Sequence, residues 1–177
     1  MLIGVPKEIK TREFRVGLVP SSVAELVRRG HQVLVETEAG QGIGADDAEY
    51  KAAGAEIASS AADVFARAEM IVKVKEPQPN EWVQLSSKQI LFTYLHLAAD
   101  APQAFGLAES GCTAIAYETI TDDAGGLPLL APMSEVAGRL AVIEGASHLK
   151  ANAGGRGILI SGVPGTAPAD IVVIGGG

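Results

Sequence analysis

Short apolar runs alternate with segments of helical periodicity along the first 117 residues of the chain. Several of these runs are apolar at consecutive positions, which is typical of strands in a parallel sheet that helices cover on both faces. The predicted strands are residues 2–5, 32–36, 70–74, 89–95 and 113–117. The predicted helices are residues 21–29, 46–53, 61–68, 80–85 and 101–109. This alternation predicts an α/β fold with a doubly wound parallel sheet.

The pattern changes after about residue 120. A turn-rich segment at 122–128 leads into the longest predicted helix, residues 133–150, which a Gly-containing stretch at 152–155 terminates. Two further strands are predicted at 157–160 and 170–174, with a segment rich in Gly and Pro between them. The second of these strands runs directly into the glycines that end the sequence.

This organisation predicts three parts. A first domain is expected at residues 1–130, a connecting helix at 131–152, and the beginning of a second domain at 153–177. The second domain is expected to be incomplete, because no helix follows its last predicted strand.

Composition and charge narrow the classes of function. The chain has 177 residues and a formal net charge of −7, which argues against a primary role on nucleic acid or on an anionic membrane. Its single cysteine, Cys112, cannot form an intramolecular disulfide, and this favours a reducing compartment. The N-terminus lacks the pattern of a secretory leader, and no apolar run approaches the roughly 18 residues of a membrane span. We therefore expect a soluble cytoplasmic protein.

Two glycine clusters invite comparison with dinucleotide-binding turns. Residues 40–45 fit the spacing G-x-G-x-x-A, but the carboxylates of Asp46 and Asp47 would then stand where a pyrophosphate should lie. We interpret this cluster as a plain turn. The strand at 170–174 runs into Gly175 and Gly177, the first two glycines of a phosphate-binding turn. A plain glycine-rich turn remains an equal alternative there.

Ionisable side chains stand at the ends of three predicted strands. Lys75, His96 and Glu118 each follow a strand, and ligands of open parallel sheets bind outside the carboxyl ends of the strands. Imidazole in general titrates at about pH 6.5, which suits proton transfer near neutral pH. The alternatives are a solvated strand end for Lys75 and Glu118, and a buried, hydrogen-bonded imidazole for His96.

Two other features indicate binding, one of a carboxylate and the other of a second helix. Arg15 lies in a charged loop but directly precedes an apolar segment, 16–20, that would fix its backbone near the sheet, so its guanidinium could bind a carboxylate through two hydrogen bonds. Small residues recur on one face of the connecting helix and allow a second helix to approach closely, either from the same chain or from another subunit. These small residues are Ser134, Gly138, Ala141 and Gly145.

Taken together, these segments resemble the bacterial alanine dehydrogenase family along the whole chain, in order and at the family's spacing. The segments are VPKE at 5–8 with Arg15-Val16, VKVKEP at 72–77, TYLHLA at 93–98, APMSEVAGR at 131–139 and GVPG at 162–165. The related transhydrogenase α subunits and saccharopine dehydrogenases are the families to distinguish. His96 and the segment 133–135 favour alanine dehydrogenase.

The resemblance implies a flavodoxin- or Rossmann-like substrate domain, NAD as the cofactor, no metal, and reversible oxidative deamination of L-alanine to pyruvate and ammonia. It implies roles for individual residues: His96 and Lys75 in catalysis, and Arg15, Lys75, Tyr94 and Glu118 in substrate binding. It also implies a homo-oligomer, which we expect to form through the connecting helix.

For the cofactor, the resemblance implies contacts with Met133 and Ser134, in addition to the glycines Gly175 and Gly177. Members of the family are about twice as long as this chain, so we expect residues 1–177 alone to bind NAD weakly and to be inactive. The alternative functions are hydride transfer between nucleotides, as in a transhydrogenase subunit, and a non-catalytic substrate-binding module.

Overall fold

The computed structural model describes residues 1–175 and contains a six-stranded sheet in which all neighbouring strands run parallel. The strands are β1 (Leu2–Val5), β2 (Gln32–Glu36), β3 (Glu56–Ala58), β4 (Met70–Val72), β5 (Ile90–Thr93) and β6 (Thr113–Ala116). Their order in the sheet is β3-β2-β1-β4-β5-β6. This is the strand order of a Rossmann-type sheet, so the predicted doubly wound architecture is confirmed.

Helices connect most successive strands, and a longer helix follows the sheet. The helices are α1 (Pro20–Arg28), α2 (Asp47–Ala52), α3 (Ala61–Arg67), α4 (Pro79–Trp82), α5 (Ala101–Ser110) and α6 (Ala131–His148). The side chains of Asp46 and Asp100 accept N–H bonds from the first turns of α2 and α5, which fixes where these helices begin. Among residues 1–175, no helix is long and apolar enough to cross a lipid bilayer.

The first glycine cluster forms the turn that the sequence predicts. Gln41–Ile43 is a single 3₁₀ turn, and Gly44 follows it in a left-handed conformation with φ 79°. Asp46 then caps α2 together with Glu49. Because carboxylates already satisfy the N–H groups at this helix start, the cluster is a structural turn.

Two apolar clusters cover the two faces of the sheet. Val33 and Val35 belong to one cluster, together with Val23 of α1 and Tyr50 of α2. Leu34 lies between them in the strand and belongs to the other cluster, which also contains residues of α3 and α5. Successive side chains of a strand point to opposite faces, so the sheet is buried on both sides, as its continuous apolar runs predict.

The strands differ from the prediction at two points. The prediction missed β3, which has only three residues. It also extended β4 and β5 too far, because Val74 and Leu95 donate their N–H groups to the carboxylates of Glu8 and Glu118 rather than to a strand. The sheet therefore ends where side chains from loops replace the ladder of backbone hydrogen bonds.

The chain divides into two compact units, residues 1–127 and 128–177. In the second unit, α6 is a helix as predicted, but residues 157–160 and 170–174 are not strands, and that prediction was wrong. The only β pairing in the described part of this unit is an isolated bridge between Val163 and Thr166. Apolar runs become parallel strands only where neighbouring strands accept their hydrogen bonds, and residues 128–175 provide none.

Candidate functional site

The loops at the carboxyl edge of the sheet carry most of the predicted site residues. The sheet reverses its winding between β1 and β4, and such a switch point opens a crevice that parallel α/β proteins use for ligands. The loop after β1 carries Glu8 and Arg15, and the loop after β4 carries Lys75. Because all strands are parallel, the segments after β5 and β6, with His96 and Glu118, lie at the same edge.

Lys75 is anchored through its backbone. Glu8 crosses the switch point, and its Oε1 accepts the N–H of Val74 at 2.6 Å and that of Lys75 at 3.3 Å. The hydroxyl of Thr93, which is fully buried in β5, donates to the carbonyl oxygen of Lys75 at 2.9 Å. The backbone of Lys75 is therefore held from the loop after β1 and from β5, while its side chain is partly exposed.

Beneath this edge lies a buried ion cluster that the sequence analysis missed. Lys73 is fully buried, and its Nζ lies 2.6 Å from Glu81 Oε1 and 3.3 Å from Glu8 Oε2. Burial raises the pKa of the Glu81 carboxyl, although the ammonium of Lys73 opposes that shift. The signal that could have revealed the cluster is a lysine within the apolar run 70–74, since a fully buried lysine requires a partner.

Arg15 is paired with a carboxylate of its own loop. Its Nε donates to Glu13 Oε1 at 2.8 Å and its Nη2 donates to Glu13 Oε2 at 2.6 Å. The side-chain bonds from Arg15 lower the pKa of Glu13, and the charge of Lys75 contributes to the same shift. Arg15 and Lys75 therefore act on one carboxylate, which places the two predicted substrate anchors close together.

Arg15 opens onto a cleft beside the switch point. The cleft has a volume of about 280 Å³ and is lined by Lys7, Glu8, Glu13 and Arg15, among others. Bidentate binding of Glu13 demonstrates that the guanidinium is oriented to grip a carboxylate.

His96 is exposed, so the alternative of a buried imidazole is wrong. Its ring is stacked on that of Tyr94, with 6.0 Å between the centroids and 12° between the planes. Tyr94 in turn meets Tyr117 edge-on at 5.0 Å, and burial raises the pKa of the Tyr117 hydroxyl. The bond to Glu13 is the main cause that raises the pKa of Arg15, and the ionised hydroxyl of Tyr94 would contribute to the same shift, so Tyr94 lies near Arg15 as well as near His96.

Glu118 lies beside His96 in a second cleft of about 440 Å³. Its carboxylate accepts the N–H of His96 at 2.7 Å and that of Leu95 at 3.1 Å. Burial alone would raise the pKa of Glu118, but these backbone bonds outweigh it, and the pKa lies below its ordinary value. The side chain is therefore a carboxylate at neutral pH and acts on the backbone that carries His96.

The residues predicted to contact a cofactor lie in the second unit. Met133 and Ser134 are in the first turn of α6, where Met133 is partly buried and Ser134 is exposed. Gly175 has φ 90°, a conformation that favours glycine and suits a tight turn. Gly177 lies outside the described residues.

Comparison with known proteins places the chain in a family. The N-terminal domain model of the alanine dehydrogenase/PNT family matches residues 4–137, and the C-terminal domain model matches residues 141–177. The chain is 58% identical to the alanine dehydrogenase of Halomonas elongata and 55% identical to that of Mycolicibacterium smegmatis. Both matches cover 100% of this chain but 48% of the relative, so the chain spans about half the length of these curated relatives.

Solved structures agree with this assignment. An L-alanine dehydrogenase superposes with a TM-score of 0.86 at 55% identity, over 95% of this chain and 46% of that one. A transhydrogenase from Sinorhizobium meliloti is more distant, with a TM-score of 0.73 at 30% identity over 84% of this chain and 45% of that one. The chain, with its parallel sheet and its charged groups at the switch point, belongs to the alanine dehydrogenase/PNT family.

Proposed function

We propose that this chain is the substrate-binding part of an NAD-dependent enzyme that reversibly deaminates L-alanine to pyruvate and ammonia. The observation that carries the proposal is the grouping of Arg15, Lys75 and Tyr94 beside His96 at one edge of the sheet. The identity of 58% to a relative named alanine dehydrogenase supports it.

Arg15 would bind the substrate carboxylate. Its guanidinium holds Glu13 through two hydrogen bonds, and a substrate carboxylate has the same geometry and charge. Binding would therefore exchange one carboxylate for another, and Glu13, whose side chain is 6% exposed, would have to move into water as its pair with Arg15 opens. Holding the carboxylate in this way would fix the position of the substrate Cα.

Lys75 would stabilise the substrate oxygen as it gains negative charge. Glu8 and Thr93 hold the backbone of Lys75 from two sides, so its ammonium is presented from a fixed point. Removing one preorganised donor of this type typically costs about 3–4 kcal/mol of transition-state stabilisation.

His96 would act as the acid/base group. NAD, when bound, supplies the acceptor for the hydride that leaves the substrate Cα. His96 would take the proton from the water that adds to the resulting imine carbon and return one to the departing ammonia. Its exposure at the mouth of a cleft makes it accessible to water and substrate.

The residues present fit a nicotinamide dinucleotide in part. Gly175 has the positive φ of a tight turn, and a Cβ added there would meet no atom of residues 1–174 within 4 Å. We propose that Gly175 and Gly177 approach the pyrophosphate and that Met133 and Ser134 contact the cofactor. In this proposal residues 1–130 bind the substrate, 131–152 form the connecting helix, and 153–177 belong to the NAD-binding domain.

We also propose that the protein is a homo-oligomer that packs through α6. Within the described part of the chain, a Cβ built at Gly138 or at Gly145 meets no atom within 4 Å, and α6 contains no buried residue. A close helix of a second subunit would cover this face. Analytical ultracentrifugation of the parent and of Gly138→Leu tests this, since a bulky side chain at such a contact should shift the protein towards monomer.

The activity is tested by oxidation of NADH in the presence of pyruvate and ammonium. The assay uses residues 1–177 within a protein as long as the relatives. We expect His96→Ala to lower kcat about 10²–10⁴-fold and to leave NADH binding unchanged, while His31→Ala behaves like the parent. Near-normal turnover of His96→Ala would remove this residue from the mechanism.

A second measurement tests the carboxylate anchor. Arg15→Lys should mainly raise the KM for pyruvate, because lysine cannot form the two-pronged contact, and Arg12→Lys in the same loop is the matched control. An unchanged KM would contradict the role of Arg15. Hydride exchange between nucleotides without any response to alanine would instead indicate a transhydrogenase.

A further inference from the structure

The backbone of His96 is left-handed, with φ 51° and ψ 36°. Residues that carry a Cβ seldom adopt this region, and they remain there when contacts around them determine the conformation. The side chain of His96 is exposed, so core packing of the imidazole does not provide those contacts. The contacts that hold this backbone must come from other residues.

The peptide group between Leu95 and His96 is bonded at both ends. At one end, Gln103 donates from Nε2 to the carbonyl oxygen of Leu95 at 2.8 Å. At the other end, Glu118 accepts the N–H of His96 at 2.7 Å. A peptide group is planar, and fixing its C=O and its N–H together fixes the orientation of the whole plane.

Both partners are themselves held in place. Gln103 is fully buried in α5, and its own N–H donates to the helix-capping Asp100. Glu118 lies in the 3₁₀ turn after β6, and its two oxygens also accept the N–H of Leu95, at 3.1 and 3.2 Å. The side chain of Leu95 is buried in the apolar cluster, which anchors the peptide from its other side.

We propose that Glu118 and Gln103 are positioning residues that fix the direction in which His96 presents its imidazole. This inference rests on the proposed function of His96 and gives Glu118 a role other than contact with substrate. Without these two bonds the peptide would turn towards the ordinary right-handed or extended conformations. The Cβ of His96 would then point elsewhere, and the stacking of its ring on Tyr94 would be lost.

The geometry distinguishes the two partners chemically. Glu118 acts as an acceptor, so Glu118→Gln keeps one acceptor oxygen and should preserve part of the effect, whereas Glu118→Ala removes all of it. Gln103 acts through its N–H group, because within the described residues its Oε1 has no hydrogen-bond partner. Gln103→Met therefore removes the bond to Leu95 while conserving the shape of the side chain.

The test is NMR of the 177-residue chain, with Glu109→Ala on the exposed surface of α5 as the control. We expect Glu118→Ala to accelerate amide exchange at His96 roughly tenfold or more and to move the backbone chemical shifts of His96 out of the left-handed range. Gln103→Met should change the same shifts, Glu118→Gln should lie between Glu118→Ala and the parent, and Glu109→Ala should match the parent. The fluorescence of Trp82 reports whether each variant is folded.

Unchanged His96 shifts in folded Glu118→Gln and Gln103→Met would overturn the proposal, whatever happens to Glu118→Ala. Steady-state kinetics at the full length of the relatives adds a second readout: kcat should fall by about a hundredfold in Glu118→Ala, while the KM for pyruvate stays close to that of the parent. A higher KM with unchanged kcat would mean that Glu118 contacts substrate, and would also overturn the proposal. If the parent has no such activity, the proposed function fails, but the NMR result still decides whether these residues fix the backbone.

Discussion

The two compact units of this chain differ in how far they bury their apolar residues. Residues 1–127 bury Val5, Leu34 and Ile71 completely, in clusters that cover both faces of the sheet. Between residues 128 and 175 no residue is buried, and Ile174 is 97% exposed. Burial of apolar surface is the main source of folding free energy. The first unit therefore has a hydrophobic core of its own, whereas the second leaves its apolar surface available for other contacts.

This contrast also separates the candidate site into two parts. Arg15, Lys75, Tyr94, His96 and Glu118 all belong to the well-packed unit. There the buried side chains of Thr93 and Gln103 hold the backbone at Lys75 and at the peptide before His96. Met133, Ser134 and Gly175 belong to the other unit. A catalytic group requires a rigid support, and the molecule provides one for the proposed acid/base and anchoring residues.

The largest expected effect tests whether the first unit depends on its buried ion cluster. Lys73→Met leaves the carboxylates of Glu8 and Glu81 buried without their cation, and breaking a buried ion pair in this way costs about 3–5 kcal/mol. Urea unfolding, followed by the fluorescence of Trp82, measures the loss. Since Trp82 is the only tryptophan, it reports on the first unit alone.

Lys88→Met on the exposed surface is the matched control and should unfold at the same urea concentration as the parent. If Lys73→Met also matched the parent, the support that we ascribe to the ion cluster would be absent.

A smaller effect on stability is expected from the close packing of β1 against α3. A Cβ at Gly4 would lie 2.6 Å from Ala68 Cβ and 2.7 Å from Val64 Cγ1. Gly4→Ala should therefore destabilise the first unit by about 1–3 kcal/mol through overpacking. The same urea titration measures it, and a gain in stability would indicate that β1 and α3 are not tightly packed.

The corresponding glycine-to-alanine change in the second unit should increase stability instead of lowering it. Gly138 lies within α6, and a Cβ there meets no atom of the described residues, so Gly138→Ala should stabilise the helix of the monomer by up to about 1 kcal/mol. Thermal melting followed by circular dichroism measures helix content, and Ala141→Gly should produce a comparable loss. A destabilised Gly138→Ala in a monomeric sample would mean that this face is closely packed within the chain, which would weaken the contrast between the units.

The smallest effect concerns the dependence of the first unit on pH. Bonds from the Thr37 hydroxyl at 2.7 Å and the Glu38 N–H at 2.8 Å lower the pKa of Asp47. The ionised form therefore stabilises the fold above the ordinary aspartate pKa of about 3.9, and this contribution is lost as the pH falls through the lowered value.

Asp47→Asn should accordingly unfold at lower urea than the parent at pH 7, and the difference should shrink towards pH 3. Asp123→Asn, in a surface turn, is the control. A difference between Asp47→Asn and the parent that is equal at both pH values would contradict this account.

The sequence predicts most of the first unit because local signals and tertiary packing agree there. Apolar runs that serve both faces of the sheet, alternating with segments of helical periodicity, are sufficient to identify most of the strands and helices. The sequence does not predict β3. This strand has only three residues, and its pairing with β2 stabilises it. It wrongly predicts strands at 157–160 and 170–174, because apolarity alone does not supply a hydrogen-bonding neighbour.

The positions of the candidate site residues could be predicted from the sequence, but most contacts between their side chains could not. Strand ends identify Lys75, His96 and Glu118, since parallel topology brings such residues to one edge. The pairing of Arg15 with Glu13 depends on side-chain contacts that no spacing in the sequence encodes. The position of Lys73 within the apolar run 70–74 indicates a buried lysine, but it does not identify Glu8 and Glu81 as its partners. The roles in substrate and cofactor binding come from the family resemblance and stay predictions.

The bond between Glu8 and the segment after β4 also has a consequence for synthesis of the protein. The two partners are 66 residues apart, which at ribosomal speed corresponds to a delay of roughly 3–13 seconds. During that interval the strands β1, β2 and β3 can already pair, while the carboxylate of Glu8 remains hydrated. We expect nascent chains of which only residues 1–69 have emerged from the ribosome to hold half a sheet, open to chaperones along the edge of β1 that β4 later occupies.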